Sequence, residues 1–318
     1  MKKTEFFIVG NVKSGTTTMH NLLTLHPEIF LPGKKELTFF CKDIQKSSDK
    51  FHGYKKHYTI RDLDDYEAFY KNAKRNQIRG EVTPHYTYSK VAAGEIYRYN
   101  KNAKIIIFLR EPVSFLRSLH QDFVSCLNES EEDFLKAINL EESRRRGKEI
   151  PKTVSYPEAL LYSDWVKYKE QIERYEELFG KDNIKVFFLK EIKEDEKIVY
   201  RKILEFIGVK NKIFFPNKEV SHNSSRSLRF KKAYQILKNS RFISILKSFI
   251  YKRNYGQGKS LFNSILRSIF WETSGKMKIS EEDIKILKSK YYNDVLELEN
   301  YLRENKFIKF SLTEYWEY

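Results

Sequence analysis

Four stretches of the chain are apolar enough to be buried strands: Phe6–Val9, Ile105–Leu109, Ile184–Leu189 and, with a more broken pattern, Ile78–Val82. Each lies near a stretch with helical spacing. Met19, Leu22 and Leu23 fall at i, i+3 and i+4 after the first strand, and His26-Pro27 closes that helix. Pro112 opens a helix carrying Phe115, Leu116 and Leu119 after the third. Before the fourth, Asp164 to Leu178 reads as one helix stopped by Gly180. Alternating strands and helices predict an α/β sheet covered by helices. In such sheets ligands bind beyond the carboxyl ends of the strands, which directs attention to the residues after Val9, Val82 and Leu109.

Composition narrows the class. Hydrophobic residues are 41% of the 318, and aromatic residues 15%, enough for a packed core. No apolar run approaches the roughly 20 residues of a membrane-spanning helix. Met1-Lys2-Lys3 leads straight into Phe6-Phe7-Ile8-Val9-Gly10, which is shorter than a secretory signal and reads as a strand. Two cysteines, Cys41 and Cys126, make no disulfide framework, and no CxxC or paired-histidine spacing offers a metal site. The chain reads as one soluble, cytoplasmic domain over 1–318 that binds no metal.

The net charge of +16 is concentrated. Residues 226–278 hold thirteen Lys or Arg against one acid, Glu272, interleaved with apolar residues such as Leu228, Ile236, Leu237, Phe242 and Ile245. This predicts a basic helical segment. Its apolar side either packs on the body of the protein or, with the basic face, meets an anionic membrane or an acidic glycan. Nucleic acid is disfavoured, since no recognised binding motif accompanies the charge. Sedimentation with anionic and neutral liposomes across a salt series separates these readings.

Gly10-Asn11-Val12-Lys13-Ser14-Gly15-Thr16-Thr17-Thr18 follows the first strand and opens a helix, where backbone N–H groups gather around an anion. It departs from the nucleotide P-loop GxxxxGK[ST], because the lysine comes two residues before the glycine. A P-loop kinase or NTPase is therefore a secondary reading, and a non-catalytic anion- or membrane-binding module a third. The third strand ends in Leu109-Arg110-Glu111-Pro112, placing an arginine at a strand tip. Ser118, eight residues on, can share a phosphate with Arg110, whose planar fork makes paired charge-assisted bonds. Two anion sites at neighbouring tips imply one ligand with two separated anionic groups.

At these residues the chain resembles the sulfotransferases that use 3′-phosphoadenosine 5′-phosphosulfate (PAPS). Val12 to Thr18 is similar to that family's 5′-phosphosulfate loop, and Leu109-Arg110-Glu111-Pro112 through Ser118 to its 3′-phosphate motif. The carbohydrate (heparan-sulfate-like) and bacterial branch is the nearest. Its HP…KExxFF pattern reads His26-Pro27 and Lys35-Glu36-Leu37-Thr38-Phe39-Phe40, and its GE-x-TP-x-Y reads Gly80-Glu81-Val82-Thr83-Pro84-His85-Tyr86.

The resemblance implies a P-loop-like three-layer fold with a central parallel sheet, PAPS as co-substrate and adenosine 3′,5′-bisphosphate (PAP) as product. It implies Lys13 as the group that stabilises the leaving phosphate and Glu36 as the base. Donor binding is expected from Lys13, Ser14, Gly15, Thr16, Thr17, Thr18, Arg110, Ser118 and Arg226, and acceptor contacts from Lys35, Thr38, Glu81, Thr83 and His85. The neighbouring Phe39-Phe40 is expected to raise the Glu36 pKa. The implied acceptor is a carbohydrate or glycolipid hydroxyl or amine. Members acting on heparan-like chains often carry histidine where Thr38 stands and lysine where Val82 stands, so acceptor identity is not implied. The glycine-rich C-terminal cofactor loop of many relatives is unmatched; Arg226 and Tyr255-Gly256-Gln257-Gly258-Lys259 are the candidates to replace it.

Overall fold

The computed structural model describes residues 2–211, 214–216, 226–230, 234, 269–273, 275, 277 and 279–318. Five strands form one all-parallel sheet: β1 (Phe6–Gly10), β2 (Ile29–Phe30), β3 (Ile78–Val82), β4 (Lys104–Leu109) and β5 (Ile184–Phe188), in the order β2-β3-β1-β4-β5. Strand residues alternate between two cores, as a two-residue side-chain period requires. Phe7, Val9, Ile105, Ile107, Leu109 and Val186 face one of them. There they meet α4 (Ala92–Tyr99), α5 (Pro112–Ser125), and the helices Tyr168–Phe179 and Glu281–Glu304. Phe6, Ile8, Ile106, Phe108 and Phe187 face the other, under α1 (Thr16–Thr24) and the helix Leu189–Ile207. The result is the expected three-layer α/β fold.

Beyond one-residue extensions of β1 to Gly10 and of β4 to Lys104, a helix and a strand end differ from the sequence reading. The predicted helix from Asp164 to Leu178 is two helices, Tyr162–Trp165 and Tyr168–Phe179. Trp165 drops into the core, its indole N–H donating to the Ala159 carbonyl at 2.9 Å. The Gln171 amide then donates to the Asp164 and Trp165 carbonyls that the break leaves open. Leu189, assigned to the last strand, instead opens a helix.

The parallel register brings the carboxyl tips of β1, β3 and β4 to one edge. No helix among the described residues is long and apolar enough to cross a membrane. Of the basic segment 226–278, the structure describes chiefly its two ends, β6 (Arg226–Leu228) and β7 (Trp271–Thr273), which pair antiparallel. Its predicted helical interior lies outside the described residues.

Candidate active site

Close approaches force the shape of the loop after β1. A Cβ on Gly10 would stand 2.2 Å from the Thr87 methyl. That proximity lets the Thr87 hydroxyl donate to Asn11 Oδ1 at 2.9 Å and its N–H to the Val9 carbonyl. Gly15 has φ 92° and caps α1, and a Cβ there would lie 2.5 Å from Ile192 Cδ1. No side chain caps α1 and no acid stands in its first turn, so the first amides of the helix are left available to an anion. The Ser14 hydroxyl is used locally, donating to the Val12 carbonyl at 3.2 Å. Lys13, at φ 57°, extends its Nζ to 3.0 Å from Asp122 Oδ1.

Arg110 leaves the tip of β4 and turns toward this loop. Its Nη1 donates to the Lys13 carbonyl at 3.1 Å and its Nε to Ser114 Oγ at 3.0 Å. Burial pushes its pKa down, and among the described residues no carboxylate pairs with it. A guanidinium held by neutral oxygens is suited to a phosphate that supplies the missing charge. Glu111 is turned away, its carboxylate accepting from the Val113 and Ser114 amides as the N-cap of α5. Ser114, Ser118 and Asp122 recur every four residues and so form one row along α5. Ser114 holds Arg110 and Asp122 holds Lys13. Ser118 lies half-buried between them.

Across the cleft, Lys35 Nζ donates to Thr17 Oγ1 at 2.7 Å, approaches Thr16 Oγ1 at 3.4 Å, and lies 3.4 Å from Glu36. Glu36 and Thr38 have φ of 64° and 56°, and the Glu36 N–H is pinned to the Val82 carbonyl at 3.0 Å. Burial alone pushes the Glu36 carboxyl up, but Lys35, His85 and His20 outweigh it and hold it below its ordinary value. The expected upward shift from Phe39-Phe40 is thereby reversed, because Phe39 stacks on Tyr66 and Phe40 meets it edge-on within the core, while the carboxylate lies beside Lys35. His85 is pushed down by burial, and its Nδ1 has no hydrogen-bond partner among the described residues.

Three expected acceptor contacts are turned inward. Glu81 is buried and accepts from Tyr86 at 2.6 Å, Thr83 at 2.7 Å and Tyr66 at 2.8 Å. Burial raises its pKa to about 7 against those hydrogen bonds. Thr83 is spent on Glu81, and the buried Thr38 hydroxyl donates to the Leu37 carbonyl. These residues brace the cleft wall instead of lining it. Arg226 opens β6 beside α5, but its side chain lies outside the described residues, as do Tyr255 to Lys259. Asp122 and His20 are site residues that sequence reasoning missed. The four-residue spacing from Ser118 to Asp122 was the available signal, and His20 likewise follows Thr16 by four.

The two strand tips thus meet, with cations around an uncapped helix end and a carboxylate–imidazole wall opposite. Comparison with known proteins gives the family. Residues 3–270 match the sulfotransferase domain family. A sulfotransferase from Alicyclobacillus acidocaldarius has a similar structure, with a TM-score of 0.60 and 28% identity over 70% of this chain and 87% of that one. The membrane-associated sulfotransferase kil1 of Dictyostelium discoideum is 33% identical over 116 residues. That match covers 36% of this chain and only 22% of the relative's length. The chain belongs to the sulfotransferase family.

Proposed function

We propose that the protein transfers a sulfuryl group from PAPS to a hydroxyl or amine of a carbohydrate-type acceptor. The observation that carries this reading is the 3.1 Å bond between Arg110 and the Lys13 carbonyl, which brings a guanidinium and an anion cradle within reach of one nucleotide. In the transfer, the bond from sulfur to the bridging oxygen breaks and its electron pair stays on the 5′-phosphate of the departing PAP. A new bond joins sulfur to the acceptor oxygen or nitrogen. Lys13 and the amides of Gly15 to Thr17 stabilise the charge that grows on the 5′-phosphate. Arg110, with Ser114 and Ser118, holds the remote phosphate and supplies positioning.

Glu36 takes the acceptor proton. With Lys35 beside it the carboxylate is held ionised. Donor binding that draws Lys35 toward the loop removes this restraint and makes Glu36 a stronger base at the moment it is needed. His85 helps position the acceptor. A carbohydrate or glycolipid acceptor is supported by the KExxFF and GExTPxY resemblance, and peripheral membrane attachment by the basic segment together with the description of the Dictyostelium relative. Incubation with isotopically labelled PAPS and fractionated cell extract, followed by mass analysis, tests the reading. A sulfated glycan or glycolipid is the expected product, and label appearing only as free sulfate counts against transfer.

A further inference from the structure

The cleft contains one carboxylate that neither the anion grip nor the proton transfer uses. Asp122 lies two turns beyond Ser114 on α5, 3.0 Å from Lys13 Nζ. Its side chain is 44% exposed and that of Glu36 42% exposed, and both act through space on the same buried ring, His85. Through Lys13 at 3.0 Å and through Lys35, which also reaches Thr17 at 2.7 Å, both carboxylates flank the loop after β1. The charged and titratable groups around the cleft are Lys13 from the loop after β1, Lys35 and Glu36 from the segment after β2, His85 after β3 and Asp122 from α5. His20 of α1, Lys34 and Tyr58 also interact with Glu36 through space.

Each carboxylate has its own lysine, Lys13 for Asp122 and Lys35 for Glu36, and each lysine also belongs to the phosphosulfate loop or touches it. An anionic donor on that loop competes for both lysines at once. Once they turn to it, the acceptor half of the cleft holds two carboxylates and a neutral imidazole. Among the described residues, the cation left beside Glu36 is then Lys34, whose pKa burial pushes down to about 8.

We propose that Asp122 sets the charge of the acceptor: together with Glu36 it selects a reacting end that is a neutral hydroxyl or bears an ammonium, and excludes one with a carboxylate or sulfate beside the reacting atom. The proposal rests on the sulfuryl-transfer reading and narrows its substrate class. The physical basis is like-charge repulsion in a partly desolvated cleft, which works by penalising the wrong acceptor. A charged amine or a hydroxyl can instead donate to either carboxylate.

The test uses the full chain, labelled PAPS and three matched probes: methyl glucoside, methyl glucosaminide and methyl glucuronide. The wild type is expected to favour the neutral and amino sugars over the acid by about tenfold or more in kcat/KM. Asp122→Asn is expected to raise the acid-to-neutral ratio about tenfold, and Asp122→Glu to restore discrimination. Wild-type preference for the glucuronide, no transfer to either the neutral or the amino sugar, or a ratio unchanged by Asp122→Asn would each overturn the proposal. Calorimetry with PAP on the same samples separates the two readings. If the wild type fails to bind PAP, sulfuryl transfer itself is wrong. If PAP binds and the ratio does not move, only the role of Asp122 is lost.

Discussion

Lys13, Glu36 and Thr38 all adopt left-handed backbone conformations, with φ of 57°, 64° and 56°, although none is glycine. Such conformations cost of order 1–3 kcal/mol each and persist where surrounding contacts over-determine them. Here the Lys13 carbonyl is held by Arg110 and the Glu36 amide by Val82. The strain aims both side chains into the cleft. Lys13→Ala is expected to keep the fold and lower kcat by about 10²- to 10³-fold, measured with any acceptor that gains label from PAPS; near-normal turnover would remove its assigned role. For Glu36, whose pKa is held down, the proposed base is already ionised at neutral pH. The wild-type kcat/KM, which reports the free enzyme, should therefore show no Glu36 acid limb between about pH 6 and about pH 8. Glu36→Gln should lower kcat while leaving PAP affinity within about twofold, and equal loss in both would mark a structural residue. Lys13, Glu36 and Arg110 were legible because their motifs carry residue type and spacing together. Asp122 was legible only in part: its four-residue spacing from Ser118 puts it on the same helix face, but gives no sign of which loop that face will meet.

At the scale of elements, the two helix starts at the strand tips are built differently. The α5 N-terminus is capped by Glu111 and closed to a ligand, while that of α1 has no side-chain cap. The wall opposite is stiffened by the buried Glu81 cage, in which three hydroxyls converge on one carboxyl group. Because the folded pKa of Glu81 is raised to about 7 from an ordinary 4.5, the folded state binds more protons than the unfolded chain between those values. Its contribution to stability is fully present below pH 4.5 and is lost as pH rises through about 7. That shift corresponds to about 3 kcal/mol. Urea midpoints should fall from about pH 5 to about pH 8, and Glu81→Gln should flatten the decline; an unchanged slope would place the titration elsewhere. The cage escaped sequence reading because a glutamate next to a strand tip looks like a ligand until its tyrosine partners are known. The split helix at Trp165 escaped for a related reason, since a core aromatic and the Gln171 amide outweighed an unbroken helical spacing.

For the whole molecule, apolar runs and their helical neighbours identified the layered α/β architecture, but the strand order depends on pairings no local pattern records. The edge strand β2 has only two residues and was invisible to periodicity. The long helix Glu281–Glu304 buries Leu287, Tyr291, Val295, Leu298 and Leu302 at spacings of four, four, three and four, a stripe of helical period written in the sequence. The architecture serves one geometric end: parallel strands carry the cradle after β1 and the guanidinium after β4 to the same edge, close enough for a direct bond. Calorimetric titration with PAP, comparing wild type with Arg110→Ala, tests that convergence most directly. One PAP per chain is expected, with affinity falling at least about tenfold when the guanidinium is removed. Absence of PAP binding, or an Arg110→Ala affinity equal to wild type, would contradict it.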